Sequence, residues 1–153
     1  MTKAASLHKF FNAAIPVTLQ ELSISKEAFD KLSKDERDAI WNGGHMRFYA
    51  STSVPDDVIF PYGTYELITS TWDGGEVGLT VNLWFHTTSE AVPNAKAEEL
   101  SAAIGIGGKI IPCDGGYIWL KRGSPWCQSL TDDTDQNIKR RHINVTAEYM
   151  TLN

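Results

Sequence analysis

No run of apolar residues in this 153-residue chain is long enough to span a bilayer, which takes about 20 in a row. The opening stretch MTKAASLHKFFNAA has one lysine and then an amphipathic pattern, without the continuous apolar centre of a signal peptide. These two absences place the chain, as an expectation, in the cytoplasm. Cysteine is scarce. Cys113 and Cys127 alone cannot make a disulfide framework, and two free thiols are expected. A basic excess is missing too: 14 Lys and Arg stand against 19 Asp and Glu, a formal net charge of −5. That balance argues against a dedicated nucleic-acid binder, which usually has a basic face. No internal repeat, low-complexity segment or shift in composition marks a second domain. What is present is ordinary: 42% hydrophobic and 22% charged residues, enough for one domain with a core of its own. The chain reads as a single domain over 1–153, with a helical N-terminal segment over 1–42 and a sheet plus helix over 43–153.

Periodicity supplies the elements. Leu7, Phe10, Phe11 and Ala14 fall on one helix face, and Pro16 stops that helix. The segment 25-SKEAFDKLSKDERDAIWNGG-44 predicts two short helical pieces. Ser33 and Glu36 have capping-box spacing, and Gly43 and Gly44 are free to end the second piece. A strand signal over 45–50 and a loop over 55–61 follow. Then 62-YGTYELITSTW-72 and 76-EVGLTVNLWFH-86 flank the turn Asp73-Gly74-Gly75 as a hairpin. In the second run Val77, Leu79, Val81, Leu83 and Phe85 share one face, while Trp84 stands among polar residues on the other. A helix is expected from near Pro93 through Ala97, Leu100 and Ile104 to Gly105. A second hairpin, 109-KIIPCDGGYIWLKR-122, turns at Asp114-Gly115-Gly116, and residues 123–136 read as a loop. The last run puts Ile143, Val145, Ala147 and Tyr149 on one face, and Arg140, His142, Asn144, Thr146 and Glu148 on the other. The fold class is α+β: a mainly antiparallel sheet of four to five strands with helices packed on one face.

Catalytic and metal patterns fail on inspection. Asp133-Thr134-Asp135-Gln136-Asn137 matches the first ligand positions of an EF-hand loop, but Ile138 stands where glycine is needed and Asn144 where the closing glutamate is needed. A polar connecting loop accounts for it better. Cys113, Cys127, His86 and His142 lack the paired spacing of a zinc site. Gly105-Ile106-Gly107-Gly108-Lys109 follows a helix instead of opening one, and Ile110 replaces the required Ser or Thr of a phosphate loop. No nucleophile elbow is present. The basic run Lys139-Arg140-Arg141 lies beside three aspartates and reads as local ion pairs in water. Neither a cofactor nor an enzymatic activity is expected. Trp72, Trp84 and Trp126 stand at positions that packing does not demand. Core packing under a loop and burial at a subunit interface both remain open for them.

The order of three segments resembles the tail-completion and tail-terminator proteins of long-tailed bacteriophages, sometimes described as minor capsid proteins. The first is 43-GGHMRFY-49 followed by 60-FPYGTYELI-68. The second is 79-LTVNLWF-85 with Thr87 and the Ala/Glu-rich helix to Ile104. The third runs from Asp133-Thr134-Asp135 to Arg140-Arg141-His142-Ile143-Asn144-Val145. Together they cover roughly residues 40–150; the stretch 16–40 is longer than that family's usual N-terminal part.

The resemblance implies a small α+β subunit without catalytic residues or cofactor. Such a subunit forms a ring of its own copies, commonly a hexamer, at the head-proximal end of the tail tube. Its implied partners are itself, the tail tube protein and a head-side connector, and its place is the virion, after assembly in the bacterial cytoplasm. DNA would pass through without specific binding, and no membrane is involved. An acidic balance suits such a channel, since each phosphate contact in a basic lumen would have to be broken during passage. The candidate interface residues are Trp72, Asp73, Trp84, Trp126, Asp132, Asp133, Asp135, Arg140 and Arg141. The rival readings are a head–tail connector or neck protein and a small metal-dependent enzyme.

Overall fold

The computed structural model describes residues 1–68, 72 and 75–151. The turn expected at Asp73-Gly74-Gly75, and with it the candidate Asp73, lies largely outside the described residues. Among those described, the chain makes four α-helices and one six-stranded mixed sheet.

Helix α1 (Lys3–Phe11) begins where the Thr2 hydroxyl accepts the Ala5 N–H, and it buries Leu7 and Phe11. Helices α2 (Lys26–Asp30) and α3 (Lys34–Trp41) are short, and no residue of either is fully buried. The Ser33–Glu36 capping box forms as its spacing predicts. Asn42 rather than a glycine takes the first left-handed position after α3, at φ 49°.

The strands are β1 (Arg47–Ala50), β2 (Tyr62–Ile68), β3 (Glu76–His86), β4 (Lys109–Cys113), β5 (Gly116–Thr131) and β6 (Ile138–Thr151), with α4 (Ala91–Ile104) between β3 and β4. Across the sheet the order is β1-β2-β3-β6-β5-β4. Both expected hairpins are present. Pro93 lies in the first turn of α4, where a missing N–H costs nothing.

Two expectations are corrected. The sheet has six strands rather than four to five, and β1 pairs with β2 in parallel. The connection 51–61 carries the chain back to the same end of the sheet before β2 starts, which a hairpin cannot do. Residues 123–136 are also not one loop. Gly123, Ser124 and Pro125 look like breakers, yet they form an irregularity inside β5. Pairing with β6 stops at Arg122 and resumes at Cys127. The true loop is 132–137. Gly123 lies so close to β6 that a Cβ there would sit 2.7 Å from the Asn144 carbonyl oxygen.

Alternation sets the core. Val77, Leu79, Val81, Leu83 and Phe85 of β3 face inward beside Ile143, Val145 and Ala147 of β6 and Ile118 and Leu120 of β5. Helices α1 and α4 cover this face with Leu7, Phe11, Leu100 and Ile104. Burying each such side chain contributes about 1.5–3 kcal/mol. At the β1 end of the opposite face, α3 and the 51–61 connection lie beside Arg47 and Tyr49.

Helix α1 touches both edge strands, β1 and β4, so the sheet curls around it. Its two ends close both edges. At β4, Ser6 donates its hydroxyl to the Pro112 carbonyl at 2.8 Å, and the Asp114 N–H donates to the Met1 carbonyl at 2.7 Å. At β1, the Asn12 carboxamide behaves like one residue of a missing strand. It accepts from the Phe48 N–H at 2.9 Å and donates to the Phe48 carbonyl at 3.3 Å. Met46 N–H donates to the Ile15 carbonyl just beyond. Unpaired edges invite foreign strands, and these contacts blunt them.

The stretch 16–40 is anchored by one buried cation. Lys96 of α4, 5% exposed, donates to the Pro16 carbonyl at 2.7 Å and pairs with Glu21 at 3.0 Å. Burial pushes the Glu21 carboxyl up, but the Thr18 N–H and Lys96 outweigh it and hold the carboxyl below its ordinary value.

His8 gives the fold an acid-side sensitivity. Its ring lies 2.8 Å from the Tyr65 hydroxyl, and its other nitrogen faces the Asn12 amide at 3.3 Å. Burial, and then the charge of Arg47, lower its pKa from the ordinary value of about 6.5. The unfolded chain therefore takes up this proton at a higher pH than the folded one. The stability contribution is present above about pH 6.5 and is lost as pH falls through the lower folded value. Melting followed by circular dichroism should show Tm falling from pH 7 to pH 5, and falling less in His8→Gln. Equal falls in both proteins would remove His8 from this account.

Candidate interaction surface

The sheet face turned away from α1 and α4 has one row of side chains in direct register. Arg47 of β1 lies opposite Tyr62 of β2, Tyr62 opposite Trp84 of β3, Trp84 opposite Arg140 of β6, and Arg140 opposite Leu130 of β5. Directly opposed residues share a face, so this rung crosses five strands without a break. The Tyr62 and Trp84 rings lie nearly parallel, with centroids 6.2 Å apart at 12°. The Arg140 guanidinium sits 5.2 Å from the Trp84 ring centre, within cation–π range. Trp84 Nε1–H donates to the Thr64 hydroxyl at 3.2 Å, which fixes the indole against the sheet.

Tyr49 extends the row, edge-on to Tyr62 at 6.2 Å and beneath Arg47 at 5.9 Å. Phe60 joins at the strand ends, 5.3 Å from Tyr62 and 5.8 Å from His86. Burial raises the Tyr49 and Tyr62 phenol pKa values, so both stay protonated and able to donate. Tyr49 pairs with Thr64 in the next rung, which continues with polar Asn82, His142 and Gln128, His142 Nδ1 and Asn82 Oδ1 lying 3.1 Å apart.

The acidic loop abuts the row. Asp132 Oδ1 accepts from the Thr134 hydroxyl at 2.6 Å, the Thr134 N–H at 2.8 Å and the Asp135 N–H at 3.1 Å. The Thr134 bonds, the side-chain one first, hold the Asp132 carboxyl below its ordinary value. Asp135 accepts from the Asn137 N–H at 2.9 Å and lies 3.4 Å from His86 Nε2. These bonds make a self-contained turn. Trp84, Asp132, Asp133, Ile138 and Arg140 together line a hollow of about 220 Å³ where loop meets row.

Of the residues singled out from sequence, the fold therefore brings Trp84, Asp132, Asp133, Asp135 and Arg140 into one neighbourhood. Trp72 and Trp126 lie apart from it, each half-buried against the core. The Pro125 carbonyl beside Trp126 accepts from the Asn144 amide at 2.9 Å. Arg141 faces the other way. It is 2% exposed, lies under α4, and donates to Glu90 and to Asn94 at 3.0 Å. It has almost no accessible surface for a partner.

Sequence reasoning missed Arg47, Tyr49, Tyr62 and Leu130. Tyr62 was within reach, because the register of the β2–β3 hairpin alone sets it opposite Trp84. Arg47 and Tyr49 depend on the parallel β1–β2 pairing, for which the local pattern holds no signal.

Chemically the neighbourhood offers flat aromatic surface, two guanidinium groups and an acidic turn, the composition of a protein-binding patch. Among the described residues no group of three or more His, Cys, Asp and Glu is placed to hold a metal ion, and no helix is long and apolar enough to cross a membrane. Compared with known proteins, the chain matches no family model and no curated protein.

Proposed function

We propose that this chain is a structural subunit of a phage tail that assembles into a ring, commonly of six copies, at the head-proximal end of the tail tube. There it ends the tube and joins it to the head. Its partners are other copies of itself, the tube protein and the head-side connector. DNA passes the ring without specific binding, and the reading assigns no catalytic residue and no cofactor. The resemblance in sequence motivates this, and one structural observation supports it best. The rung Arg47–Tyr62–Trp84–Arg140–Leu130 lies on the sheet face turned away from α1 and α4, and each of its members keeps part of its surface exposed. Aromatic and arginine side chains are the residues that dominate protein interfaces.

Electron microscopy of lysates with and without the gene tests the role. Without it, DNA-filled heads and unjoined tails of abnormal length should accumulate. Supplying Trp84→Ala in trans should rescue poorly while the purified variant keeps its fold. Normal, infectious tailed particles from the deletion would rule the role out.

A further inference from the structure

The covered face of the sheet leaves one groove open at the β4 edge. It has a volume of about 560 Å³ and lies between α1 and β4. Its floor is apolar, from Phe10 and Ala14 on α1 and just past it, Ala103 on α4 and Ile111 on β4. Two lysines, Lys9 and Lys109, stand in its lining. Both are exposed, and neither makes an ion pair among the described residues. The groove's one carboxylate, Asp114, is taken up by the Met1 amino group. Along the same edge, Lys109, Ile110 and Ile111 make no backbone hydrogen bond outside the β4–β5 ladder among the described residues. Ile110 is 57% exposed. A groove with an apolar floor and two cations in its lining can take a segment that carries acids beside apolar residues.

The opposite edge of the sheet offers a segment of complementary chemistry. The 51–61 connection that follows β1 contains 54-VPDDV-58. Asp56 and Asp57 form an exposed turn and make no ion pair among the described residues. Val54, Pro55 and Val58 flank the two acids. An acidic pair between apolar residues matches an apolar floor carrying two lysines. No residue of 54–58 lines the groove of its own copy, so the groove is free to take the loop of another copy.

We propose that the β4 groove of one copy receives the 54–58 loop of the next, with Lys9 and Lys109 facing Asp56 and Asp57. The contact is heterologous, so each copy uses both halves, and it closes into a ring when the rotation per copy divides a full turn. The inference rests on the ring reading above and names the surfaces that would build the ring.

Charge exchange tests it on the purified protein, with assembly read by native mass spectrometry and folding by circular dichroism. The parent should assemble, less so at high salt. Lys9→Glu with Lys109→Glu places like charges together, and so does Asp56→Lys with Asp57→Lys. Each should dissociate the assembly, weakening association about tenfold or more, while remaining folded. An equimolar mixture of the two variants meets every contact with opposite charges if they alternate, so it should regain assembly. Variants that assemble like the parent would overturn this contact and leave the ring reading standing. So would two variants that stay apart when mixed. Variants that keep assembly but lose binding to tube protein would assign the groove to that protein and overturn the proposal. A parent that stays monomeric, both alone and with tube protein, would overturn the ring reading along with it.

Discussion

Replacing Phe11 by alanine should cost about 3–5 kcal/mol, the range for emptying a buried aromatic site. Phe11 has no exposed surface. Its ring stacks on Phe48 at 5.3 Å and 25° and on Tyr65 at 5.5 Å and 21°, with Phe10 edge-on at 5.5 Å. The site cannot collapse easily. Phe48 is pinned from below by Gly63, where a Cβ would come within 2.3 Å of its ring. Phe11 also ends the helix that closes both edges of the sheet. Loosening it frees Asn12 from Phe48 and Ser6 from Pro112. Against a total stability of about 5–15 kcal/mol this is a large fraction, and Tm should fall on the order of 10 °C. Urea denaturation checks it. The midpoint should drop while the slope stays unchanged, whereas a loss under about 1 kcal/mol would mean α1 is not part of the cooperative core.

Arg141→Ala should be nearly as damaging, at about 3 kcal/mol, while Arg141→Met should cost less than about 1.5 kcal/mol. The difference separates volume from charge. Arg141 fills space between β6 and α4 beside the Cys127 thiol, and alanine leaves that space empty. Its partners Glu90 and Asn94 are exposed, so water can replace the guanidinium once it is gone. Methionine keeps most of the volume and strands no buried polar group. Thermal melts of the two variants decide it. A loss in Arg141→Met as large as in Arg141→Ala would show that the ion pair, not packing, secures α4.

Arg141 also shows what alternation can reveal. It shares parity with Ile143, Val145 and Ala147, so the pattern of β6 already turns it inward. Its charge and its place in a basic run argued for the surface, and an inward arginine needed a carboxylate on a helix that strand periodicity cannot locate. The inward residues of β3 and β6 and the apolar face of α1 were legible because burial of one face imposes a period of two or of 3.6. Trp84 was legible as a residue out of place among polar neighbours.

The parallel placement of β1 and the continuity of β5 were not legible. Both are settled by pairing with distant segments, and Gly123-Ser124-Pro125 carries the local chemistry of a loop while lying inside a strand. The surface row was half legible for the same reason. Its members are far apart in the chain and meet only through the sheet register.

Cryo-electron microscopy of intact tailed particles that contain this chain tests the central claim most directly. Density should show copies of the chain closed into a ring at the head-proximal end of the tail tube, with the Trp84 face or the β4 edge in contact with a neighbouring subunit. A tube end that meets the head without this chain, or single copies placed elsewhere on the particle, would contradict the account.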